Sequence, residues 1–312
     1  MLTKIEVCNN EVNIPKYDNP LFKRCGESIN IRNVDVAEFK GGYALQDEDI
    51  TKKLKEYTKD GLTDIFVADG KHLIQEEYKT VFRDWIGSTK LNTIHGLDLY
   101  RHASITNGTS EAFQMFMMRH NNRRFKVATG DFMMHKIACN VMNLDWEWLS
   151  EHNALEPGDA LIISCPFSDT GCKHNQLTDF LLTATKMDIP VLIDMAYFGM
   201  CSNINIDLSH NCIEEVTFSL GKTFPIIGAR AGIRFQRDEI DDPVMFANQN
   251  GIVNNFACKI GVFCMLNWSP DYIPVKYYDA YYALCLHNDL EVTNCVLFAT
   301  SQEAKYKSIN RG

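Results

Sequence analysis

Four residues in the second half of the chain carry the side chains that chemistry on an aldehyde needs. Lys222 follows a short apolar stretch typical of a β-strand, and Arg230 lies eight positions further on, in a glycine-flanked loop. Asp194 ends another such stretch, and Tyr197 comes three residues later. A lysine amine can form a Schiff base with an aldehyde when its surroundings lower its pKa. A carboxylate can keep a ring nitrogen protonated, and a tyrosine can donate to a phenolic oxygen of that ring.

Each of these residues also has an ordinary structural role open to it. Asp194 could cap the chain after its strand, and Tyr197 could fill the core. Lys222 could be a solvated loop lysine, and Arg230 could form a surface ion pair. A nucleotide-binding P-loop is excluded around Lys222, because Gly221 is the only glycine in the eight preceding positions.

The turn Asn107-Gly108-Thr109-Ser110 precedes a predicted helix and is a candidate phosphate site. A glycine turn into a helix N-terminus presents free backbone N–H groups and the positive end of the helix dipole. Two hydroxyl groups in the turn could add hydrogen bonds to a phosphate. The alternative is plain helix capping by Thr109 or Ser110, with Glu111 favoured in the first turn.

The elements that must position these residues alternate along the chain. Hydrophobic periodicity predicts helices at 50–57, 72–86, 111–120, 144–152 and 177–187. It predicts strands at 104–106, 125–129, 158–164, 191–194 and 215–218, and a strand-like close at 295–300. Such alternation favours an α/β fold with a mainly parallel sheet covered on both faces. Ligands gather at the carboxyl ends of such strands. The turn at 107–110, the loop after Ser164, Asp194 and the segment 219–222 all lie at such ends, so we expect one shared site.

Composition narrows the classes of function. The chain has 312 residues and a net charge of −9, which disfavours nucleic acid or an anionic membrane as the main partner. We expect no membrane span and no signal peptide, because no apolar run is long enough and the N-terminus lacks a basic and apolar leader. The 11 cysteines include no C-x-x-C pair, which indicates a reducing cytoplasm, and the nine histidines lack ligand spacing, so no metal site is predicted.

The whole set resembles the fold-type I pyridoxal-phosphate enzymes, and within them the class I/II aminotransferases. The resemblance covers roughly residues 60 to 260 and rests on the segments 106–112, 157–166, 170–171, 190–197, 219–224 and 228–232. The Ser-x-x-Lys pattern followed by an arginine is its most specific part. It implies a seven-stranded, mainly parallel sheet sandwiched by helices and a homodimer. The expected divisions are an N-terminal arm at 1–45, a large cofactor-binding domain at 46–265 and an abbreviated small C-terminal lobe at 266–312.

The resemblance also implies roles for individual residues. Lys222 would carry pyridoxal 5′-phosphate as a Schiff base and move the substrate proton. Asp194 would pair with the ring nitrogen, and Tyr197 would donate to the ring hydroxyl oxygen. Phe132 would stack on the ring, although a core role suits it equally. The residues that would bind the phosphate are Gly108, Thr109, Ser110, Ser219 and Arg230.

Three departures from the family pattern bear on the substrate. Ser168 stands where the family has an asparagine that contacts the ring oxygen. The stretch 64–70 lacks the tyrosine that the neighbouring subunit lends to the phosphate. Only 90 residues follow Lys222, and Arg311 is the only arginine after Arg237. A substrate carboxylate would therefore be held by Arg311, be held by another group, or be absent.

Three hypotheses of function follow. The first is a homodimeric aminotransferase that moves an amino group from an amino donor to a keto acid. The second, motivated by the short lobe, keeps the cofactor but makes the protein a lyase or decarboxylase. The third is a non-catalytic protein that retains the fold and acts through interactions.

Overall fold

A computed structural model of the chain describes residues 44–60, 73–150 and 153–301. The helices in these ranges are α1 (Glu48–Asp60), α2 (Leu73–Gly87), α3 (Thr109–Arg119), α4 (Met133–Val141), α5 (Leu177–Met187), α6 (Pro243–Gln249), α7 (Asn255–Asn267) and α8 (Tyr272–His287). The strands are β1 (Thr93–His95), β2 (His102–Asn107), β3 (Arg124–Ala128), β4 (Trp146–Leu149), β5 (Asp159–Ser164), β6 (Val191–Met195), β7 (Asn205–Asp207), β8 (Ile213–Ser219), β9 (Ala231–Gln236), β10 (Glu291–Val292) and β11 (Ala299–Thr300).

A seven-stranded sheet forms the centre of the molecule, in the order β2-β9-β8-β6-β5-β3-β4. Strand β9 runs antiparallel to both of its neighbours, and the other strand pairs are parallel. Every residue of β5 and β6 is buried, as expected for parallel strands covered on both faces. The predicted α/β fold with a mainly parallel seven-stranded sheet is therefore confirmed.

The register of the sheet brings the ends of several strands to one edge. Ser164 at the end of β5 pairs with Asp194 in β6, and Asp194 pairs in turn with Thr217 in β8. At the outer side of the sheet, Asn107 at the end of β2 pairs with Ala231 at the start of β9. The chain segments that leave these strands therefore meet above the same edge.

Two apolar clusters flank the sheet. The smaller cluster joins α3 and α4 to the sheet through Phe113, Phe116 and Phe125, and it also includes Cys139. The larger cluster joins the remaining layers, with Phe82, Trp85, Phe198, Phe218 and Phe224 among its aromatic members. Apolar side chains thus cover both faces of the sheet. A ligand can therefore approach the sheet only at the ends of its strands.

Most predicted elements are present with ends shifted by a few residues, but the helix predicted at 144–152 is wrong. Residues Trp146–Leu149 form the edge strand β4, paired with β3. Trp146 and Trp148 lie two residues apart and meet edge-on at 5.1 Å between ring centres, which suits neighbours on one face of a half-buried strand. An apolar stretch this short cannot be assigned to a helix or a strand by its periodicity, and the pairing with β3 decides between them.

The strand-like close predicted at 295–300 is largely wrong. Only Ala299–Thr300 form a short strand, β11, paired with β10. The Tyr281 hydroxyl donates to the carbonyl of Phe298 at 2.6 Å, and the Thr293 hydroxyl lies 2.9 Å from the Cys295 carbonyl. These side chains occupy carbonyl groups that a longer ladder would need.

Some predictions fall on parts of the chain outside the described ranges. They are the N-terminal arm up to residue 43, the stretch 64–70 and Arg311. The divisions at 45 and 265 stay predictions. Among the helices that the structure describes, none is both long and apolar enough to cross a membrane.

Candidate active site

All ten predicted site residues line one pocket at the carboxyl ends of the parallel strands. They are Gly108, Thr109, Ser110, Phe132, Ser168, Asp194, Tyr197, Ser219, Lys222 and Arg230. Residues separated by more than a hundred positions meet there because β2, β5, β6 and β8 end at the same edge. The expectation of one shared site is met in the geometry, and the chemical role of each residue remains a proposal.

Lys222 lies in the loop that leaves β8. Ser219 shapes this loop, because its Oγ accepts a hydrogen bond of 3.2 Å from the Gly221 amide. The Lys222 Nζ lies 5.2 Å from the centre of the Tyr197 ring. Burial lowers the pKa of the Lys222 amine; the Asp194 carboxylate opposes this effect and Arg230 adds to it. A lowered pKa increases the fraction of neutral amine, which is the nucleophilic form.

Asp194 is almost fully buried at the end of β6. Its Oδ1 accepts from the Ala196 amide at 3.0 Å, and its Oδ2 accepts from the Thr109 hydroxyl at 3.2 Å. These bonds hold the carboxylate in one orientation at the floor of the pocket. A carboxylate held there can pair with a cationic ring nitrogen of a ligand.

Tyr197 forms one side of the pocket. Its ring packs edge-on against Phe298, with 5.1 Å between ring centres. Burial, with smaller contributions from Cys295 and Asp194, raises the pKa of the phenol. The hydroxyl therefore keeps its proton at neutral pH and can act as a hydrogen-bond donor.

One end of the pocket is shaped by two close contacts at glycine residues. Arg230 has a left-handed backbone (φ 56°) and donates from Nη2 to the Asn107 carbonyl at 2.9 Å. A Cβ on Gly108 would lie 2.9 Å from that nitrogen, and a Cβ on Gly232 would lie 2.6 Å from the Gly108 Cα. Both positions therefore require glycine, and the guanidinium lies beside the N-terminus of α3. A guanidinium and free helix amides together suit a phosphate.

Phe132 and Ser168 complete the predicted set. Ser168 is buried after the cis Cys165–Pro166 peptide, and its Oγ donates to the Ser164 Oγ at 3.4 Å. Phe132 lies directly before α4, and its ring is edge-on to Phe113 at 6.5 Å between centres. A half-buried ring in this place offers an apolar surface to a flat ligand.

Sequence reasoning missed several residues at or behind the pocket. Ser164, Ala196, Gly221 and Ile227 also line it. His135, fully buried in the first turn of α4, lies 3.6 Å from Asp194 through its Nε2. Asp131 lies before α4, so its spacing of four positions from His135 does not mark the two residues as partners in the sequence.

The pocket fits a flat molecule with a phosphate, an aldehyde and a cationic ring nitrogen. The glycine cradle and Arg230 suit the phosphate, Asp194 suits the ring nitrogen, and Lys222 supplies an amine of lowered pKa between them. Tyr197 supplies a protonated phenol on the same wall. Pyridoxal 5′-phosphate has these groups.

Comparison with known proteins supports this interpretation. The family described as Aminotransferase class I and II matches residues 121–266. An aminotransferase from Staphylococcus aureus has a similar structure, with a TM-score of 0.58, 11% identity and coverage of 86% of this chain and 81% of that chain. The pyridoxal-phosphate-bound C-S lyase from Staphylococcus hominis has a TM-score of 0.56 and 13% identity, with coverage of 82% of this chain and 73% of that chain.

A third solved structure, the histidinol-phosphate aminotransferase from Clostridium acetobutylicum, has a TM-score of 0.53 at 13% identity and covers 78% of this chain and 75% of that chain. A search of curated proteins found no match. The fold is that of the fold-type I enzymes, and the family match together with the pyridoxal-phosphate-bound neighbour indicates pyridoxal 5′-phosphate as the cofactor. Over residues 121–266 the chain is similar to the class I and II aminotransferases.

Proposed function

We propose that this protein is a pyridoxal-phosphate-dependent aminotransferase that moves an amino group from an amino donor to a keto acid. The observation that carries the proposal is the lysine amine of lowered pKa, placed in one pocket with a buried carboxylate and an anion-binding arginine. The family match over residues 121–266 supports amino transfer as the reaction.

Bound pyridoxal phosphate supplies an aldehyde carbon that takes up the amino group and a ring that withdraws electrons from the substrate. Arg230 and the backbone amides at Thr109 and Ser110 would hold the phosphate. Asp194 would pair with the ring nitrogen, and Tyr197 would donate a hydrogen bond to the ring oxygen. Contacts to both groups would restrict the orientation of the ring in the pocket that also contains Lys222.

Lys222 acts as carrier and as base in this proposal. Burial and Arg230 favour its neutral amine, which can bind the cofactor and, once released, take a proton from the substrate Cα. The Asp194 carboxylate favours the charged ammonium, the form of Lys222 that would return the proton.

The test is absorption spectroscopy with borohydride reduction and peptide mapping. Adding pyridoxal phosphate to the wild-type protein should produce a yellow species that bleaches on reduction and leaves the cofactor attached to Lys222. Lys222→Ala should abolish this attachment, and Lys186→Ala, at an exposed helical position, should preserve it. A protein that stays colourless would contradict the proposal and favour a non-catalytic role.

A lyase or decarboxylase reaction is the second candidate. One of the solved structures that resemble this chain is a C-S lyase. An amino-donor panel with and without keto acids separates the two reactions. Keto-acid-dependent transfer supports the aminotransferase, whereas release of a leaving group or carbon dioxide without a keto acid supports the second candidate.

We also propose a homodimer in the cytoplasm. The cysteines that the structure describes are all free thiols, consistent with a reducing compartment. The small-molecule partners would be the amino donor and the keto-acid acceptor.

A further inference from the structure

The segment 293–298, which connects β10 to β11, lies against the side of the pocket that Tyr197 forms. Phe298 ends this segment, and its buried ring meets the Tyr197 ring edge-on at 5.1 Å between ring centres. The centre of the Tyr197 ring lies in turn 5.2 Å from the Lys222 Nζ. The position of Phe298 therefore bears on where Tyr197 lies relative to the amine.

Backbone hydrogen bonds also join the segment to the chain that follows Tyr197. The Ser202 amide donates to the Asn294 carbonyl at 2.8 Å. The Val296 amide donates to the Met200 carbonyl at 3.1 Å. The segment is thus attached to this side of the pocket by its backbone as well as by its aromatic ring.

The hydroxyl of Tyr281, on helix α8, holds the two ends of the segment together. It donates to the Phe298 carbonyl at 2.6 Å and accepts from the Thr293 amide at 2.6 Å. The Thr293 hydroxyl lies 2.9 Å from the Cys295 carbonyl and tightens the same turn. Because Tyr281 and Thr293 are both buried, water cannot readily replace these bonds. One hydroxyl group therefore determines much of the shape of the segment.

The segment packs tightly on a second loop of the site. A Cβ on Gly171 would lie 2.6 Å from the Phe298 Cβ and 2.8 Å from the Thr293 Oγ1. Gly171 follows Ser168, which lines the pocket. Both ends of the segment are therefore in close contact with this loop, and a change in the shape of the segment would be felt at the pocket.

We propose that Tyr281 is a positioning residue of the active site. Its hydroxyl holds the segment 293–298 in the shape that keeps the Phe298 ring against Tyr197. Tyr197 is the proposed donor to the ring oxygen of pyridoxal phosphate, and in that respect the inference rests on the proposed function. The part of the chain after α8 thereby supports the cofactor pocket from outside it.

Nuclear magnetic resonance of the full chain with labelled tyrosine rings tests this role without the cofactor. Tyr197→Phe identifies the signal of Tyr197 by its disappearance. Tyr281→Phe keeps the ring and removes only the hydroxyl. We expect it to shift the Tyr197 signal and to speed hydrogen exchange at the Ser202 and Val296 amides about tenfold, as loss of a buried hydrogen bond would. Tyr282→Phe, a half-buried neighbour on α8, should change neither. An unchanged Tyr197 signal in Tyr281→Phe would overturn the proposal.

Cofactor binding separates positioning from a general effect on the fold. We expect Tyr281→Phe to weaken binding of pyridoxal phosphate to the otherwise wild-type protein. In a protein that already carries Tyr197→Phe, the same substitution should cause little further loss, because both changes remove one interaction. Equal losses in the two backgrounds would contradict the positioning role. If the wild type binds no cofactor, the proposed function fails, while the Tyr197 signal still decides whether Tyr281 positions that ring.

Discussion

The chemistry proposed for Lys222 depends on the surroundings of its amine, because an exposed lysine amine is charged at neutral pH. Burial disfavours the ammonium form, and the neighbouring Arg230 disfavours it further, whereas Asp194 favours it. The net effect is a lowered pKa, so the folded protein holds a charged lysine at a cost. That cost can be measured as stability.

We expect Lys222→Met to raise the free energy of unfolding of the cofactor-free protein at neutral pH. Because the folded pKa lies below the ordinary value of 10.5, the unfolded chain binds more protons between those two values. Wild-type stability therefore rises with pH through that window, and the advantage of Lys222→Met shrinks until it is lost near 10.5. Urea unfolding of both proteins between pH 7 and pH 10.5 measures this, with the exposed Lys186→Met as control. A constant difference across the range would show that the substitution acts through packing alone.

We expect Arg230 to determine how much more tightly the protein binds pyridoxal phosphate than pyridoxal. A hydrogen bond to a charged group contributes roughly 1.5–3 kcal/mol, so Arg230→Gln should weaken binding of pyridoxal phosphate by about ten- to a hundredfold. Binding of pyridoxal, which lacks the phosphate, should change little. The measurement is a pair of titrations on each variant, with the exposed Arg101→Gln as control. Equal losses for the two ligands would mean that Arg230 supports the pocket in general and does not bind the phosphate.

At the scale of elements, the site depends on how β2 meets β9. The two strands pair over six residue pairs, and the pairing ends where Gly108 and Gly232 pass each other without side chains. The same contact places Arg230 beside the start of α3. Strand pairing and ligand binding therefore depend on the same two glycines.

Gly232→Ala should both destabilise the fold and damage the phosphate site. Its Cβ would lie 2.6 Å from a backbone atom, so the strands must separate. Overpacking of this kind typically costs about 1–3 kcal/mol. Gly228→Ala, four residues earlier and with nothing within 4 Å of the added Cβ, is the matched control. Urea unfolding and phosphate-ligand titration should show losses in the first variant only, and a Gly232→Ala protein of wild-type stability would refute the close contact.

Most of the helices and strands could be predicted from the sequence, because each type of element has its own local periodicity of apolar residues. The ends of β5 and β6, and with them Asp194, follow from apolar runs that stop at a polar residue. Trp146–Leu149 was mistaken for a helix because a short apolar stretch has no period long enough to separate the two states. Segment 295–298 was mistaken for a strand because hydrogen bonds from Tyr281 and Thr293 decide its shape, and those contacts are tertiary.

The candidate site was predictable for a different reason. Lys222, Arg230, Asp194 and Gly108 lie at strand ends, and the parallel topology brings strand ends together whatever the side-chain details. His135 and Asp131 were missed because nothing in their local pattern marks them as buried partners of a residue some sixty positions away. Contacts between buried side chains next to a site depend on how the helices pack on the sheet. That packing cannot be predicted from a single sequence.

At the scale of the whole molecule, four exposed apolar side chains come from segments that lie at or near the candidate site in the sequence. They are Ile227, Phe246, Ile252 and Phe256, which are 38%, 60%, 68% and 38% exposed. Ile227 also lines the candidate active site. Ile252 lines a second pocket that reaches Asn107, whose carbonyl accepts from Arg230. Apolar surface of this kind commonly marks a protein–protein interface.

We expect the protein to be a dimer in solution, with this surface at the interface. Phe246→Asp should shift the molar mass measured by light scattering from two chains to one, because a buried unpaired charge opposes association. It should also weaken pyridoxal-phosphate binding if the partner completes the site. Val141→Asp, at an exposed apolar position on α4, is the control. A wild-type protein that runs as a single chain would contradict the prediction.

The pairing of β2 with β9 also determines when the site can exist during synthesis. Strand β2 is the first of the seven strands to be made and β9 the last, yet they are neighbours at one side of the sheet. A contact between such distant parts of a chain is entropically expensive to close and forms late in folding. While the ribosome is still making the residues before Ala231, the nascent chain has β2 without its neighbour. We therefore expect the nascent chain to bind the cofactor only after β9 has paired with β2.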